Sequence, residues 1–276
     1  MGQIAFASDL TGLPQIYLIN SDGTAPHQIT EMPEGACQPA WSPDGERLAF
    51  IAPCGGNQEI YPGAGIFIIN PDGTDLFEVP SMPGGDFDPA WSPDGEKIVF
   101  TSLRDFNRAQ IYEYNLEENT TLSLSANTVR DSQPAWSPDG SQIVFVTTRR
   151  GPYQIWIMNQ DGEEAFLLSR SGSLKDTHPL WSPDGLTIMY TQSELIGGVP
   201  RLVWMRVEEG NLLENRLISE VIPMREASYS PDGGWIAFES WPEGINHDIY
   251  IMTTKTLGRQ RLWDSEGFEF DPAWRP

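Results

Sequence analysis

Six side chains at matching points of a recurring segment are the residues best placed to do chemistry: Gln38, Asp88, Gln133, His178, Glu226 and Asp271. Each directly precedes a proline, except in the fifth copy, where Ala227 takes the proline's place. Two residues upstream stand Ala36, Asp86, Asp131, Asp176, Met224 and Glu269. Side chains alternate along a strand, so the two sets are expected on one face. Gathered round a common axis, they bring seven carboxylates and one imidazole to one channel mouth. Oxygen ligands at that density suit a hard cation, calcium being the expected ion and Asp88 and Asp271 its ligands. They suit equally a Lys or Arg side chain from a basic protein or small ligand. A third role is structural, since acids beside such a strand can bond a neighbouring backbone and brace the fold.

Catalytic sets are harder to find. The three histidines, His27, His178 and His247, match no zinc spacing, and neither H-E-x-x-H nor G-x-S-x-G occurs. Paired carboxylates such as Asp86 and Asp88 are the raw material of a glycosidase, but five of the six copies offer acids at these positions.

The elements that must position these residues follow from the repeat. Gln38-Pro39-Ala40-Trp41-Ser42-Pro43-Asp44-Gly45 precedes Leu48-Ala49-Phe50, and Asp88 to Gly95 precedes Ile98-Val99-Phe100. The pattern returns from Trp136 to Phe145 and from Trp181 to Tyr190, more weakly from Tyr229 to Phe238, and ends at Trp274. A period in the mid-forties is that of a four-stranded propeller blade. Strand one ends at the tryptophan and Pro-Asp-Gly makes a tight turn, with Pro presetting φ and Gly accepting positive φ. Strand two is the aliphatic-x-Phe run. Strand three alternates, as in Ile155-Trp156-Ile157-Met158-Asn159, and a second turn such as Gln160-Asp161-Gly162 leads to a short strand four. The five tryptophans Trp41, Trp91, Trp136, Trp181 and Trp274 share one repeat position and read as packing between blades.

Asp271-Pro272-Ala273-Trp274 is a first strand at the C-terminus, and Gln3-Ile4-Ala5-Phe6 is a second strand at the N-terminus. Joined, they rebuild one motif. The fold expected is therefore all-β: a six-bladed β-propeller over residues 1–276, with four-stranded blades and a ring closed by one C-terminal plus three N-terminal strands. Such closure removes open sheet edges.

The Pro-x-Trp-Ser-Pro-Asp-Gly-x-x-Ile-x-Phe pattern resembles the WD40-like repeat of the TolB-type propellers, over essentially the whole chain. The best-known members are periplasmic proteins that bind other proteins. Similar repeats occur in prolyl-oligopeptidase-like enzymes, in oligogalacturonate lyases and in sensor-like modules of larger bacterial proteins. The lyase resemblance implies a histidine-rich metal site, which three scattered histidines do not supply.

Composition narrows the partners. The formal net charge of −22 disfavours nucleic acid and anionic membranes, and favours cations or basic surfaces. No apolar run approaches the roughly 18 residues of a membrane helix, and Met1 to Phe6 reads as a strand rather than a signal peptide. Cys37 and Cys54 flank one hairpin at nearly matching heights, which allows a disulfide and would favour an oxidising compartment; two reduced cysteines are the alternative. Two irregular segments, Cys54 to Gly63 and Glu194 to Pro200, lengthen blades where specificity commonly resides. The reading that results is a non-enzymatic, monomeric, extracytoplasmic binding propeller that holds a basic partner or ligand at its acidic channel mouth. The alternatives are a carbohydrate- or peptide-processing enzyme, and a sensor domain of a larger receptor or kinase.

Overall fold

The computed structural model describes residues 2–169, 172–208, 211–218 and 222–276. These residues form twenty-four strands and no helix. The strands make six four-stranded antiparallel sheets, the blades of a β-propeller. The innermost strands are Cys37–Trp41, Asp86–Trp91, Asp131–Trp136, Leu174–Trp181, Arg225–Tyr229 and Glu269–Trp274, and each packs on the next around the axis. The sixth blade is composite: Glu269–Trp274 pairs with Gln3–Ser8, with Ile4 opposite Trp274 and Ser8 opposite Glu269. No helix of the described residues is long and apolar enough to cross a membrane.

An outward meander gives the disc two unlike faces. Turns joining strands one to two and three to four lie on one face, here termed the turn face. Hairpins joining strands two to three, and the links between blades, lie on the other, the loop face. The turn face is set by local chemistry. In the first full blade Ser42 Oγ donates to Asp44 Oδ1 at 2.5 Å, and the backbone N–H of Glu46 donates to the same oxygen at 2.9 Å. Gly45, at φ +67°, closes the turn in a conformation that a side chain would strain. The same Ser–Asp bond recurs at Asp94, Asp139, Asp184 and Asp232.

Packing between blades holds the ring. Phe6, Phe50, Phe100, Phe145 and Phe238 of the second strands are fully buried. Trp91 Nε1 donates to the carbonyl of Ala40 at 3.0 Å, and Trp41 Nε1 donates to Ala273 at 3.1 Å, so each tryptophan reaches the preceding blade. The guanidinium groups of Arg47 and Arg275 lie over these two rings.

Every inner strand carries a β-bulge just before its proline position, seen as a register shift against strand two. The bulged residues are Gln38, Asp88, Gln133, His178, Glu226 and Asp271, all at φ between 48° and 54°. Left-handed backbone at a non-glycine residue costs on the order of 1 kcal/mol, and it changes where the side chain points.

That bulge overturns the expectation that both acidic sets share one face. Asp86 stands opposite Ser102 and accepts from Arg104 Nη2 at 2.9 Å. Asp88 accepts from Thr101 Oγ1 at 2.7 Å. Residues 102 and 104 lie on one side of their strand and 101 on the other, so the two aspartates project to opposite sides of the same sheet. Simple alternation fails because Asp88 is itself the bulged residue, with a left-handed backbone after the regularly paired Phe87.

Candidate functional site at the two ends of the channel

The turn face opens into an axial funnel of about 490 Å3. Its walls are the Pro-Ala-Trp segments of the inner strands, and its floor is the ring of bulged side chains. These floor residues bond from blade to blade. Asp271 Oδ2 accepts from the N–H of Gln38 at 2.9 Å, Gln38 Oε1 from Asp88 at 2.7 Å, Asp88 Oδ2 from Gln133 at 3.2 Å, and Gln133 Oε1 from His178 at 2.8 Å. Gln38 Nε2 also donates to Asp88 Oδ1 at 2.9 Å. Varied as their types are, the residues at this position in these four links act alike, each supplying an acceptor for the next blade's bulged N–H.

The chain of bonds changes character at the fifth blade. Glu226 N–H donates to Thr191 Oγ1 instead of to His178, and the Glu226 carboxyl lies 3.4 Å from His178 Nε2 and in hydrogen-bond contact with Asp271. His178 Nδ1 is buried without a hydrogen-bond partner. Burial and the Glu226 charge push Asp271 well above the usual carboxylate range. Burial opposes ionisation of Glu226 too, but Arg225 and His178 outweigh it and hold Glu226 below that range. Two touching carboxyls thus share one proton. Asp88 is pushed up to about 6 by burial, against the donors Thr101 and Gln38.

The upstream acids lie outside the funnel, each bonded locally. Asp86 pairs with Arg104, Asp131 with Arg149 at 2.7 Å, Asp176 Oδ1 accepts from Gln192 at 3.0 Å, and Glu269 bonds Ser265 Oγ. Ala36 and Met224, at the same repeat position, are buried. Asp88 and Asp271, the expected calcium ligands, are separated by Gln38, which bonds both. Among the described residues no group of three or more His, Cys, Asp or Glu is arranged to hold a metal.

The loop-face end holds a site that sequence reasoning missed. Arg225 donates to Glu239 through Nε at 3.0 Å and Nη2 at 2.9 Å, and its Nε lies 3.6 Å from Glu226. His247 bonds Glu239 and stacks on Trp241 with ring centroids 4.0 Å apart. Burial and the Glu226 charge push Glu239 up, while burial and Arg225 bring His247 down to about 4. From the far side of the ring, Asn57 Nδ2 donates to Glu226 at 2.8 Å and to Glu239 at 3.2 Å, and Glu59 pairs with Lys175. The segment Cys54 to Gly63 thus crosses the channel mouth. Its base is fixed by a disulfide between Cys37 and Cys54, with Cα atoms 5.9 Å apart. Beneath lies a cavity of about 310 Å3, lined by this segment and by Leu195 to Pro200, the two irregular insertions.

One signal for this cluster was present in the sequence. Arg225 and Glu239 face each other in register, at the point where sister blades pair Cys37 with Ile51, Phe87 with Thr101, or Ser132 with Val146. Opposite charges at two facing core positions announce a buried ion pair. His27, by contrast, is exposed on the outer rim and joins no site.

Known proteins of the same architecture place the fold. TolB from Acinetobacter baumannii superposes with a TM-score of 0.84 at 21% identity, over 100% of this chain and 67% of that one. An oligogalacturonate lyase from Vibrio parahaemolyticus matches with a TM-score of 0.61 at 18% identity, over 94% of this chain and 74% of that one. At such identities both likenesses show the fold alone. A curated relative in Bacillus subtilis (strain 168), named as an uncharacterized peptidase, YuxL, is 34% identical over 58 residues, which span 21% of this chain and 9% of the relative. A family model described as the TolB beta propeller domain matches residues 27–208 and 124–236, most of the chain, and on that match this protein belongs to the TolB β-propeller domain family.

Proposed function

We propose that this propeller is a binding module whose turn-face funnel receives a cationic group, a Lys or Arg side chain of a protein or an amine-bearing ligand. The observation that carries the reading is the funnel floor: Asp88, Glu226 and Asp271 face a half-open cavity between aromatic walls. The turn face around it bears an exposed aspartate at nearly every Pro-Asp-Gly turn, which draws cations toward the mouth. His178 Nδ1, buried without a partner, supports a ligand or water contact at the same depth. The Cys37–Cys54 disulfide supports an extracytoplasmic location.

The test is calorimetric titration with an Arg- and Lys-containing peptide and with spermidine. Asp88→Asn should weaken binding by about tenfold, as loss of one buried charge contact implies, and Asp72→Asn on the outer turns should not. Binding that is indifferent to Asp88→Asn would remove the funnel from consideration. Calcium added in the same titration tests the cation reading of Asp88 and Asp271.

The competing reading is an enzyme acting on glycans or peptides, favoured by one observation: the Glu226 and Asp271 carboxyls touch each other beside the His178 imidazole. Turnover of a glycan or peptide panel that disappears in Asp271→Asn would establish it.

A further inference from the structure

The sister blades supply an internal control that exposes a second site. Five inner strands end in tryptophan, and the fifth blade ends instead in Tyr229. In the adjoining fourth blade Trp204 stands opposite Met189, a register position at which the other blades carry Leu18, Ile68, Glu113, Ile157 and Ile251. Both departures fall at one junction and touch: Trp204 Nε1 donates to Tyr229 Oη at 2.6 Å, and Tyr229 also bonds Thr187. A mere exchange of packing partners would close the junction. Here a cleft of about 590 Å3 remains.

We propose that this cleft between the fourth and fifth blades is a saccharide-binding site that takes an uncharged oligosaccharide. The indole N–H and the phenol bond each other, so what Trp204 and Tyr229 offer is aromatic ring surface, flanked by Pro183 and Pro231. Polar groups lie at the rim. Asp184 and Asp232 use Oδ1 to hold their own turns, accepting from Ser182 and Ser230, and Arg206 and Thr254 also line the cleft. A pyranose matches this arrangement with an apolar C–H face for the rings and hydroxyls that donate to carboxylates and accept from a guanidinium. Two carboxylates against one guanidinium, on a protein of net charge −22, disfavour uronates, sugar phosphates and nucleotides.

The experiment titrates cellotriose, maltotriose and chitotriose separately into the protein, read by tryptophan fluorescence and by calorimetry. At least one should bind at millimolar concentration or below. Trp204→Ile installs a residue that sister blades carry at that position and should keep its melting temperature. It and Tyr229→Leu, which removes the second ring, should each lose binding by about tenfold or more. Asp232→Asn, which leaves the aromatic wall intact, should weaken binding without altering the fold and covers the case in which either ring variant misfolds. Failure of all three sugars to bind the unaltered protein would overturn the proposal, as would binding that persists in every variant. Binding of a proline-rich basic peptide in place of the sugars would overturn it as well and assign the aromatic wall to peptide recognition.

Discussion

The two faces of the disc carry the same acidic side chains in opposite states. At the turn face Asp44, Asp94, Asp139, Asp184 and Asp232 lie near water, and a serine hydroxyl and a backbone N–H hold each below the usual carboxylate range. Toward the loop face, burial pushes Asp86 up, raises Glu269 to about 8, and with the Glu226 charge lifts Glu239 far above its normal value. Residue type does not set the charge of these groups. The balance of donors against lost hydration does. The turn face is therefore a fixed anionic surface, whereas toward the loop face burial holds the carboxyls up, Glu239 against Arg225, Asp86 against Arg104 and Glu269 against Ser265.

Breaking the cluster around Arg225 should have the largest effect. Arg225→Met leaves Glu239 and Glu226 buried without their shared cation, and a loss of about 3–5 kcal/mol is expected in urea denaturation. If stability is unchanged, the loop-face carboxyls are already neutral and the two faces differ in charge even more.

The next effect is on pH dependence. A carboxyl whose pKa is raised on folding contributes stability that is present at low pH and lost as pH rises through the folded value. Glu269 should therefore make melting temperature fall between pH 6.5 and 9, in step with the raised Glu239 and Asp271, and Glu269→Gln should reduce that slope. Below pH 6.5 the trend is opposed by His247: lowered to about 4, it favours the folded state as pH rises from 4 to 6.5. The turn aspartates shift the opposite way from Glu269, so their contribution is lost only in stronger acid and leaves the upper window clear.

Two smaller changes compare the ends of the channel directly. Gln38→Ala removes an acceptor for the bulged N–H of Asp88 and a donor to its carboxyl, an expected cost of roughly 1–3 kcal/mol. Asn57→Ala removes the strap's bonds to Glu226 and Glu239, at about 1 kcal/mol. Greater damage from Asn57→Ala than from Gln38→Ala would mean that the insertion, rather than the repeat, holds the channel together.

Much of this could be read from the chain before folding was considered. The Trp-Ser-Pro-Asp-Gly period located the turns, the strand order and the composite sixth blade, because each depends on residues near one another in sequence. The ring of Gln38, Asp88, Gln133, His178, Glu226 and Asp271 was legible as a set for the same reason. Its geometry was not, since nothing in the strand pattern marks a bulge at a non-glycine residue, and the bulge turns Asp88 away from Asp86. The Arg225–Glu239 pair lay in plain view as two charges at facing positions, hidden only because the fifth copy is the weakest.

What the sequence alone determined is the scaffold: turn chemistry and alternation are local, and a period near 45 residues leaves few ways to bury the apolar faces. Only the tertiary structure decided which acids meet. Asn57 reaches Glu226 across 169 residues of chain, Asp271 accepts from Gln38 across 233, and Trp204 finds Tyr229 across a blade boundary. Those contacts arise from closure of the ring, and the protonation states they create depend on burial that no local pattern encodes.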